Sequence, residues 1–286
     1  TYAATVSLVG NQTNGTKTVT VNLTVIGYYA NEIVDQFTNT AGSGLSGLTG
    51  GTGWNSAWSN SGGAYSLDAG NLAIPVNYPT NAGNKICADS TTEPLAFRNF
   101  TAFSTGKVFA AVSIRKTDSA HGGYAGLSLM NGSAEQAFAG KLFGQEWFGL
   151  DVGGSTVAST FGIYGNSTYL IVLVHDFETD ITYGQVYNPG DTVPTTEPGS
   201  WRVSLTQAVA QVTGIRLGGK DVATLCFDEI RVSSSWEGLL NRFSGQPTLH
   251  PTGLNFTNVT TSSMTVRWNN GNGGARIVVA REGSPV

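Results

Sequence analysis

Hydrophobic and polar residues alternate along most of this chain, and a period of two predicts β-strands. The alternation is strict in residues 223–236, which are predicted to form a strand that closes a sheet. One face of this predicted strand carries Cys226, Asp228, Ile230 and Val232. The opposite face carries Phe227, Glu229 and Arg231.

Short strand patterns recur between residues 33 and 188, with turn residues between them. The predicted strands are 33–37, 71–76, 107–115, 123–130, 136–142, 147–152, 155–163, 169–177 and 182–188. Helical periodicity is almost absent, and only residues 203–212 are predicted to hold a single turn or a short helix. Many short antiparallel strands with long connections predict a sandwich of two sheets.

Shorter strand patterns stand at the two ends of the chain. Residues 3–9 and 17–26 predict a hairpin with an apolar face of Val19, Val21, Leu23 and Val25. Residues 244–251 are interpreted as a linker, after which strands are predicted near 253–258, 262–268 and 275–281. Because a two-stranded hairpin alone is marginally stable, we expect the end segments to meet, within one chain or between copies.

Composition narrows the class of protein. Charged residues make up 12% of the 286 residues, against about 25% in an average globular protein. The 38 glycines, with many Thr, Ser and Asn residues, indicate a loop-rich extracellular or cell-surface protein. With a net charge of −4 and no basic cluster, nucleic acid is not an expected partner. No apolar run reaches the roughly 18 residues of a membrane helix, so membrane insertion is not expected.

The two cysteines, Cys87 and Cys226, leave two alternatives open. A disulfide between them would close a loop of roughly 140 residues and stabilise the fold by about 5 kcal/mol. Two buried free thiols would instead behave as small hydrophobic side chains. Two cysteines cannot supply a zinc site of the Cys-x-x-Cys kind.

Several motifs share one resemblance. They are Phe-Asp-Glu-Ile-Arg-Val-x-x-x-Trp at 227–236, Asp35-x-Phe37 followed by Trp54-x-x-x-Trp58, and Phe-Ala-Gly-Lys at 138–141. In combination they resemble the concanavalin A-like, or laminin G-like, jelly-roll modules of large bacterial surface and secreted proteins. The resemblance covers about residues 31–243 and implies an all-β, two-sheet jelly-roll sandwich.

The flanking segments resemble pieces of other β-domains. Residues 1–28 resemble the C-terminal hairpin of an immunoglobulin-like domain. Residues 252–286 resemble the N-terminal part of a fibronectin type III domain. We therefore expect partial immunoglobulin-like and fibronectin-like segments on either side of a jelly-roll domain at 31–243, with 244–251 as a linker.

No catalytic residue is predicted. Some glucanases related to this fold carry Glu-x-Asp-x-Glu on one strand, which brings their carboxyl groups close together for retaining hydrolysis. The nearest string here, residues 176–180, is predicted to be a hairpin turn. The three histidines, His121, His175 and His250, are scattered, and no Gly-x-Ser-x-Gly elbow occurs.

The resemblance implies a structural calcium ion near the closing strand. Asp228 occupies the matching place, and Asp35 on the opening strand is a candidate second carboxylate. Calcium requires six to eight oxygen ligands, many of them backbone carbonyls. The alternative is that Asp228 caps a turn or pairs with Arg98 or Arg231. No other cofactor is expected.

Five aromatic residues are candidates for ligand binding, because several lie in or near Gly- and Ser-rich loops. They are Trp54, Trp58, Tyr65, Trp147 and Trp201. Under the alternative interpretation, Trp54, Trp58 and Trp147 cover the ends of the sandwich core.

Three functions follow as hypotheses. The first is a non-catalytic extracellular module for adhesion or carbohydrate binding, with glycans or other surface proteins as partners. The second is a structural subunit of an extracellular filament, joined head-to-tail to other copies through its end segments. The third is a glycoside hydrolase that lacks the usual motif.

Overall fold

The computed structural model describes residues 2–9, 18–25, 33–79, 83–118, 122–240, 252–257 and 265–269. The chain divides into two compact units. One unit comprises Thr1–Tyr29 and Phe243–Val286, and the other comprises Ala30–Arg242. The bounds of the second unit differ by one residue at each end from those of the predicted jelly-roll domain.

Strands dominate the described residues. In chain order they are β1 (Tyr2–Val9), β2 (Thr18–Val25), β3 (Ile33–Asp35), β4 (Ser59–Ser61), β5 (Ser66–Asp68), β6 (Lys85–Asp89), β7 (Leu95–Phe103), β8 (Lys107–Lys116), β9 (Tyr124–Asn131), β10 (Ala134–Lys141), β11 (Trp147–Val152), β12 (Ser155–Gly162), β13 (Thr168–Asp176), β14 (Ile181–Tyr187), β15 (Val203–Thr206), β16 (Val212–Lys220), β17 (Thr224–Ser233), β18 (Thr252–Thr257) and β19 (Thr265–Asn269). A short helix, α1 (Trp236–Leu239), follows β17, and a 3-10 turn covers Ser90–Thr92. In the part of the chain that the structure describes, no helix is long and apolar enough to span a membrane.

Two antiparallel sheets form the larger unit. The first has seven strands in the order β12-β11-β10-β9-β16-β7-β4. The second has eight, in the order β15-β14-β13-β8-β17-β6-β5, with β3 also paired to β17. Side chains from both sheets meet between them in the main core, among them Leu127, Leu150, Ile171, Leu173 and Phe227. The predicted two-sheet jelly-roll sandwich is confirmed.

A second core covers the outer face of the eight-stranded sheet. Leu170, Val172 and Val174 of β13 pack there with Phe109 of β8 and Trp236 of α1. Neighbouring residues of β13 therefore alternate between two apolar environments. This is why residues 169–174 form an unbroken apolar run instead of an alternating one.

The closing strand β17 contains a β-bulge. Its register against β8 shifts between Asp228 and Arg231, and Glu229 at the bulge has a φ of 52°. Before the bulge β17 pairs with β6 on its other side, and after it β17 pairs with β3. The bulge thus lies where the strand changes its neighbour.

This bulge corrects the predicted faces of the closing strand. Phe227 points into the main core before the bulge, and Ile230 and Val232 point into it afterwards. Cys226 and Asp228 lie on the outer face, and so do not share a face with Ile230 and Val232 as strict alternation predicts. An extra residue in a strand reverses the facing of every later residue.

Two other predicted elements are wrong. Residues 71–76 form only an isolated bridge, from Val76 to Thr192, because Leu72 and Ile74 pack onto the outer face of the sheet and so imitate a strand pattern. Residues 203–212 hold no helix; they begin with β15, which pairs with β14 at the edge of its sheet.

Strand β16 was absent from the sequence prediction because glycines interrupt its pattern. A Cβ atom at Gly214 would lie 2.7 Å from the carbonyl oxygen of Arg98. A Cβ atom at Gly218 would lie 2.5 Å from Cδ2 of Leu95. Close packing against the backbone of β7 therefore requires glycine at 214, whereas a side chain at 218 would have to displace the end of the Leu95 side chain.

The terminal strands form two small antiparallel sheets. In one, Tyr2 of β1 pairs with Val25 of β2, and Val9 pairs with Thr18. In the other, β18 pairs with β19. These strand predictions are confirmed, while the linker at 244–251 and the strand at 275–281 lie outside the described residues. The assignment of the ends to immunoglobulin-like and fibronectin-like domains stays a prediction.

A buried ion pair joins the two large sheets. Asp35 of β3 pairs with Arg98 of β7, and both side chains are almost inaccessible to water. The same carboxylate accepts hydrogen bonds from the Trp58 indole at 2.8 Å and from the Phe37 backbone N–H at 2.9 Å. Burial raises the pKa of Asp35, and these donors act in the opposite direction. The guanidinium of Arg98 also lies 4.8 Å from the ring centroid of Trp54.

Cys87 of β6 and Cys226 of β17 stand directly opposite each other and form a disulfide bond. The bond joins positions 139 residues apart and packs against Leu72 on the outer face of the eight-stranded sheet. Of the two alternatives that the sequence leaves open, the structure contains the disulfide.

Reduction of the disulfide is expected to lower the free energy of unfolding by about 2–5 kcal/mol, because it frees a long loop in the unfolded chain. Urea unfolding with and without a reductant measures this loss. In the Cys87→Ala/Cys226→Ala double variant, used as the control, the reductant should change nothing further. Two titratable thiols in the unreduced, denatured protein would contradict the bond.

Candidate functional site

A shallow groove lies at one edge of the sandwich. Its volume is about 350 Å³, and its lining consists of Ser159, Thr160, Gln185, Ser200, Trp201 and Arg202. The first two residues belong to β12, which is the edge strand of the seven-stranded sheet. Gln185 belongs to β14, and the last three immediately precede β15, the edge strand of the other sheet. The groove is therefore built where the edges of the two sheets come together.

Trp201 is the one aromatic residue in the lining, and its neighbours hold it in place. Its ring stacks on Tyr183 with centroids 5.4 Å apart and planes inclined by 30°. It also meets Trp236 edge-to-face, with centroids 5.8 Å apart. Trp201 remains partly exposed. The indole is thus a rigid apolar surface beside the amide and hydroxyl groups of the groove.

Arg202 gives the groove a positive charge. Its guanidinium carbon lies 4.5 Å from the ring centroid of Phe161, at a distance where a cation is attracted to the face of an aromatic ring. Phe161 itself packs against the main core. The charged end of an otherwise exposed side chain is therefore held at the groove by a fixed ring.

The other four aromatic candidates lie elsewhere. Trp58 and Tyr65 are buried in the main core, and Tyr65 donates from its hydroxyl to the Pro94 carbonyl at 3.1 Å. Trp54 packs against the same core and donates from its indole to the Val34 carbonyl at 3.0 Å. For Trp54 and Trp58, the structure shows the core-covering role that the sequence left as an alternative, whereas Trp147, the third residue of that alternative, is exposed.

Trp147 belongs to a separate exposed cluster, which we call the aromatic patch: Phe143, Trp147 and Tyr164. Their exposed fractions are 68%, 41% and 53%. Trp147 stands opposite Gly162, and the Tyr164 ring fills the space that a side chain at 162 would occupy. Directly opposite Cβ positions in antiparallel strands are about 5 Å apart. The Tyr164 ring therefore lies beside Trp147.

Asp228 and Asp35 do not share a site. Asp35 points between the sheets, where its carboxylate is occupied by the contacts to Arg98, Trp58 and Phe37. Asp228 lies on the outer face and accepts from the Leu72 backbone N–H at 2.8 Å. The pair does not fit a shared calcium ion. Among the described residues, no group of three or more His, Cys, Asp or Glu side chains could hold a metal.

A cluster of buried charges surrounds the bulge in β17. Asp228 accepts from the backbone N–H of Glu229 at 2.8 Å, and Glu229 lies 3.7 Å from Arg231. The Tyr78 hydroxyl donates to the Glu229 carbonyl at 3.2 Å. Burial raises the pKa of Glu229 to about 8, and Arg231 only partly opposes this shift. The structure thus favours a neutral Glu229 at and below neutral pH.

The acidic string at 176–180 forms the turn between β13 and β14. Asp176 Oδ1 accepts from the backbone N–H groups of Glu178 at 2.9 Å and Thr179 at 3.3 Å. The predicted hairpin turn is confirmed.

His175 has a structural environment. It is buried, its Nδ1 lies 2.9 Å from the Thr182 hydroxyl, and its ring packs edge-to-face on Phe177. Burial lowers its pKa. His121 and His250 lie outside the described residues.

Sequence analysis identified Trp201 as a candidate but not the residues around it. Ser159, Thr160, Gln185 and Arg202 come from three separate segments, and none belongs to a motif. The turn-rich sequence before 203 could have drawn attention to Arg202, but its neighbours follow only from the pairing of the strands.

No protein-family model matches this chain, and no curated protein matches it. Solved structures of low sequence identity do match. The globular domain of T. cruzi calreticulin is 10% identical, with a TM-score of 0.43, over 65% of this chain and 86% of that domain. The binding domain of botulinum neurotoxin serotype C1 is 9% identical, with a TM-score of 0.44, over 87% of this chain and 64% of that one.

A sialidase is 12% identical, with a TM-score of 0.40, over 61% of this chain and 17% of the enzyme. The chain thus spans less than two thirds of the length of the sialidase and of the botulinum domain. The description of this chain as a jelly-roll sandwich depends on its own two sheets rather than on these distant likenesses.

Replacing Glu229 should make stability less dependent on pH. A folded-state pKa raised to about 8 means that wild-type stability is greatest below the unfolded pKa near 4.5 and falls as pH rises toward 8. Glu229→Gln removes this ionisation. Between pH 4.5 and 8, the free energy of unfolding of the variant relative to wild type should therefore increase by on the order of 1 kcal/mol per pH unit. Urea unfolding at pH 5, 6, 7 and 8 measures the difference.

Glu237→Gln is the matched control, because Glu237 is an exposed carboxylate in α1. This variant should show no comparable trend with pH. A parallel pair of stability curves for wild type and Glu229→Gln would show that Glu229 does not titrate in this window.

Calcium binding by Asp228 without Asp35 stays a prediction, and the chelator EDTA can test it. If Asp228 binds calcium, EDTA should lower the melting temperature of the wild type and should have no effect on Asp228→Asn. If Asp228 acts only through its hydrogen bonds to Leu72 and Glu229, Asp228→Asn should lower the melting temperature equally with and without EDTA. The loss expected for those buried hydrogen bonds is about 1–3 kcal/mol.

Proposed function

We propose that this chain is a non-catalytic carbohydrate-binding module of an extracellular or cell-surface protein. The observation that carries the proposal is the groove, in which the partly exposed indole of Trp201 lies beside amide, hydroxyl and guanidinium groups. The adhesive role that the sequence suggests would follow from such binding.

The chemistry of the groove suits a sugar. A pyranose ring has an apolar face of C–H groups and a rim of hydroxyl groups. An aromatic ring provides a complement to the face, and side chains that both donate and accept hydrogen bonds complement the rim. Trp201 supplies the aromatic ring. The hydrogen-bonding side chains are those of Gln185, Ser159, Thr160 and Ser200.

The same lining supports binding rather than hydrolysis. Glycoside hydrolysis generally needs two carboxyl groups on either side of the scissile bond. The described residues that line the groove include no Asp and no Glu. A hydrolase at this groove would therefore lack both its acid and its nucleophile or base.

The filament hypothesis has weaker support. Residues Thr1–Tyr29 and Phe243–Val286 group into one compact unit. The described strands of this unit form two separate sheets, β1-β2 and β18-β19, and this arrangement does not distinguish joining within one chain from joining between copies. Carbohydrate binding, which the groove supports, is the better supported of the two functions.

Glycan-array screening of the full chain, followed by calorimetry on the best ligand, tests the proposal. Trp201→Ala should weaken binding by about 10- to 100-fold, because it removes the apolar surface for the sugar. Trp201→Phe keeps a ring between Tyr183 and Trp236 and should weaken binding less, which separates lost affinity from lost folding.

Trp147→Ala is the matched control, since it removes an exposed tryptophan from the aromatic patch instead. Its affinity should equal that of the wild type. If Trp147→Ala abolished binding and Trp201→Ala did not, the aromatic patch would be the glycan site. If no glycan bound the wild type, the proposed function would be wrong.

A further inference from the structure

We propose that the groove selects acidic oligosaccharides, with a sugar carboxylate bound by Arg202. This inference rests on the proposed function and names the class of ligand. It is drawn from the guanidinium, which lies among neutral hydrogen-bonding groups in a lining whose described residues include no carboxylate.

Three other arginines of the sandwich lie close to carboxyl groups, although Arg115 of β8 forms no ion pair with a described residue. Arg98 pairs with Asp35, Arg216 pairs with Glu135, and Arg231 lies 3.7 Å from Glu229. Among the described residues, by contrast, no carboxylate forms an ion pair with Arg202. Its guanidinium lies over the ring of Phe161 and also acts electrostatically on Tyr187, and neither residue is a carboxylate.

Phe161 prepares Arg202 for an anion. An exposed arginine normally samples many conformations, and fixing it on binding costs free energy. Contact with the ring restricts the side chain before a ligand arrives. The guanidinium is planar and presents paired N–H groups that match the two oxygens of a carboxylate.

The neutral residues of the groove strengthen the case for a carboxylate on a sugar. The hydroxyl groups of Ser159, Thr160 and Ser200 can donate to an anionic oxygen or accept from a sugar hydroxyl. Trp201 adjoins Arg202 in sequence and lies in the same lining. A ligand with an apolar ring face and a carboxylate on that ring would engage both residues at once.

Selectivity of this kind must be local. The chain carries a net charge of −4, so its overall field does not attract anions. Preference for an acidic ligand would therefore depend on Arg202 and should disappear when that one charge is removed.

Calorimetry with the full chain and matched ligand pairs tests the inference. The probes are a galacturonic acid trisaccharide with its methyl ester, a glucuronic acid oligosaccharide with its methyl ester, and sialyllactose with lactose. For at least one pair, wild type should bind the acid about tenfold or more tightly than the neutral partner. Arg202→Gln should bind both members equally, and Arg202→Lys should keep part of the preference.

Lys220→Gln is the charge-matched control, because it removes one partly exposed cation that pairs with Glu93 away from the groove. It should retain the wild-type preference. Trp201→Phe should weaken binding of both members of a pair alike.

The outcomes distinguish acidic selectivity from the proposed carbohydrate binding on which it rests. Neutral glycans that bind as well as their acidic partners, with affinity lost in Trp201→Ala, would overturn the acidic selectivity and leave carbohydrate binding intact. Failure of every glycan to bind would overturn both. A preference for a sulfated glycan that ignores every carboxylate would show that the groove recognises a different anion, and would also overturn the inference.

Discussion

The ion pair between Asp35 and Arg98 is the constraint on which the sandwich depends. It links β3 of one sheet to β7 of the other, both side chains are almost inaccessible to solvent, and both Trp54 and Trp58 contact the pair. Removing one partner of such a pair would leave an uncompensated buried charge, at a cost of about 3–5 kcal/mol. The Asp-x-Phe and Trp-x-x-x-Trp motifs therefore hold the two layers together rather than forming a ligand site.

The two cores leave the edges of the sandwich and the outer face of the seven-stranded sheet for ligands, and the groove lies at an edge. The main core takes the inner faces of both sheets, and a second core covers the outer face of the eight-stranded sheet. The connection from β14 to the edge strand β15 forms part of this second core. Trp201 and Arg202 lie in this connection, directly before β15. The groove is thus a consequence of how one long connection packs and where it rejoins the sheet.

The bulge in β17 likewise changes how the eight-stranded sheet is built, at a strand far from the edge strand β15. It allows one strand to pair first with β6 and then with β3, and it directs Glu229 into the buried outer layer. The cost is a non-glycine residue at positive φ and a carboxyl group in a poorly solvated position. Hydrogen bonds from the Leu72 backbone to the Asp228 carboxylate and from the Tyr78 hydroxyl to the Glu229 backbone carbonyl connect this point to residues 72–78, which pack on the outer face of the sheet.

Local periodicity in the sequence determined the all-β class, the strands from β8 to β14 and the turn at 176–180, because these depend on neighbouring residues. The family resemblance, and not periodicity, drew attention to Asp35 and Trp58, and Trp201 was a candidate as an aromatic residue among Gly- and Ser-rich loops. Tertiary structure decided the rest: a bulge reverses which residues face the core, and the glycines of β16 are explained by the strands beside it. The partners of Arg98 and Trp201 lie far away in sequence, so only the pairing of strands and the meeting of two sheet edges could bring them together.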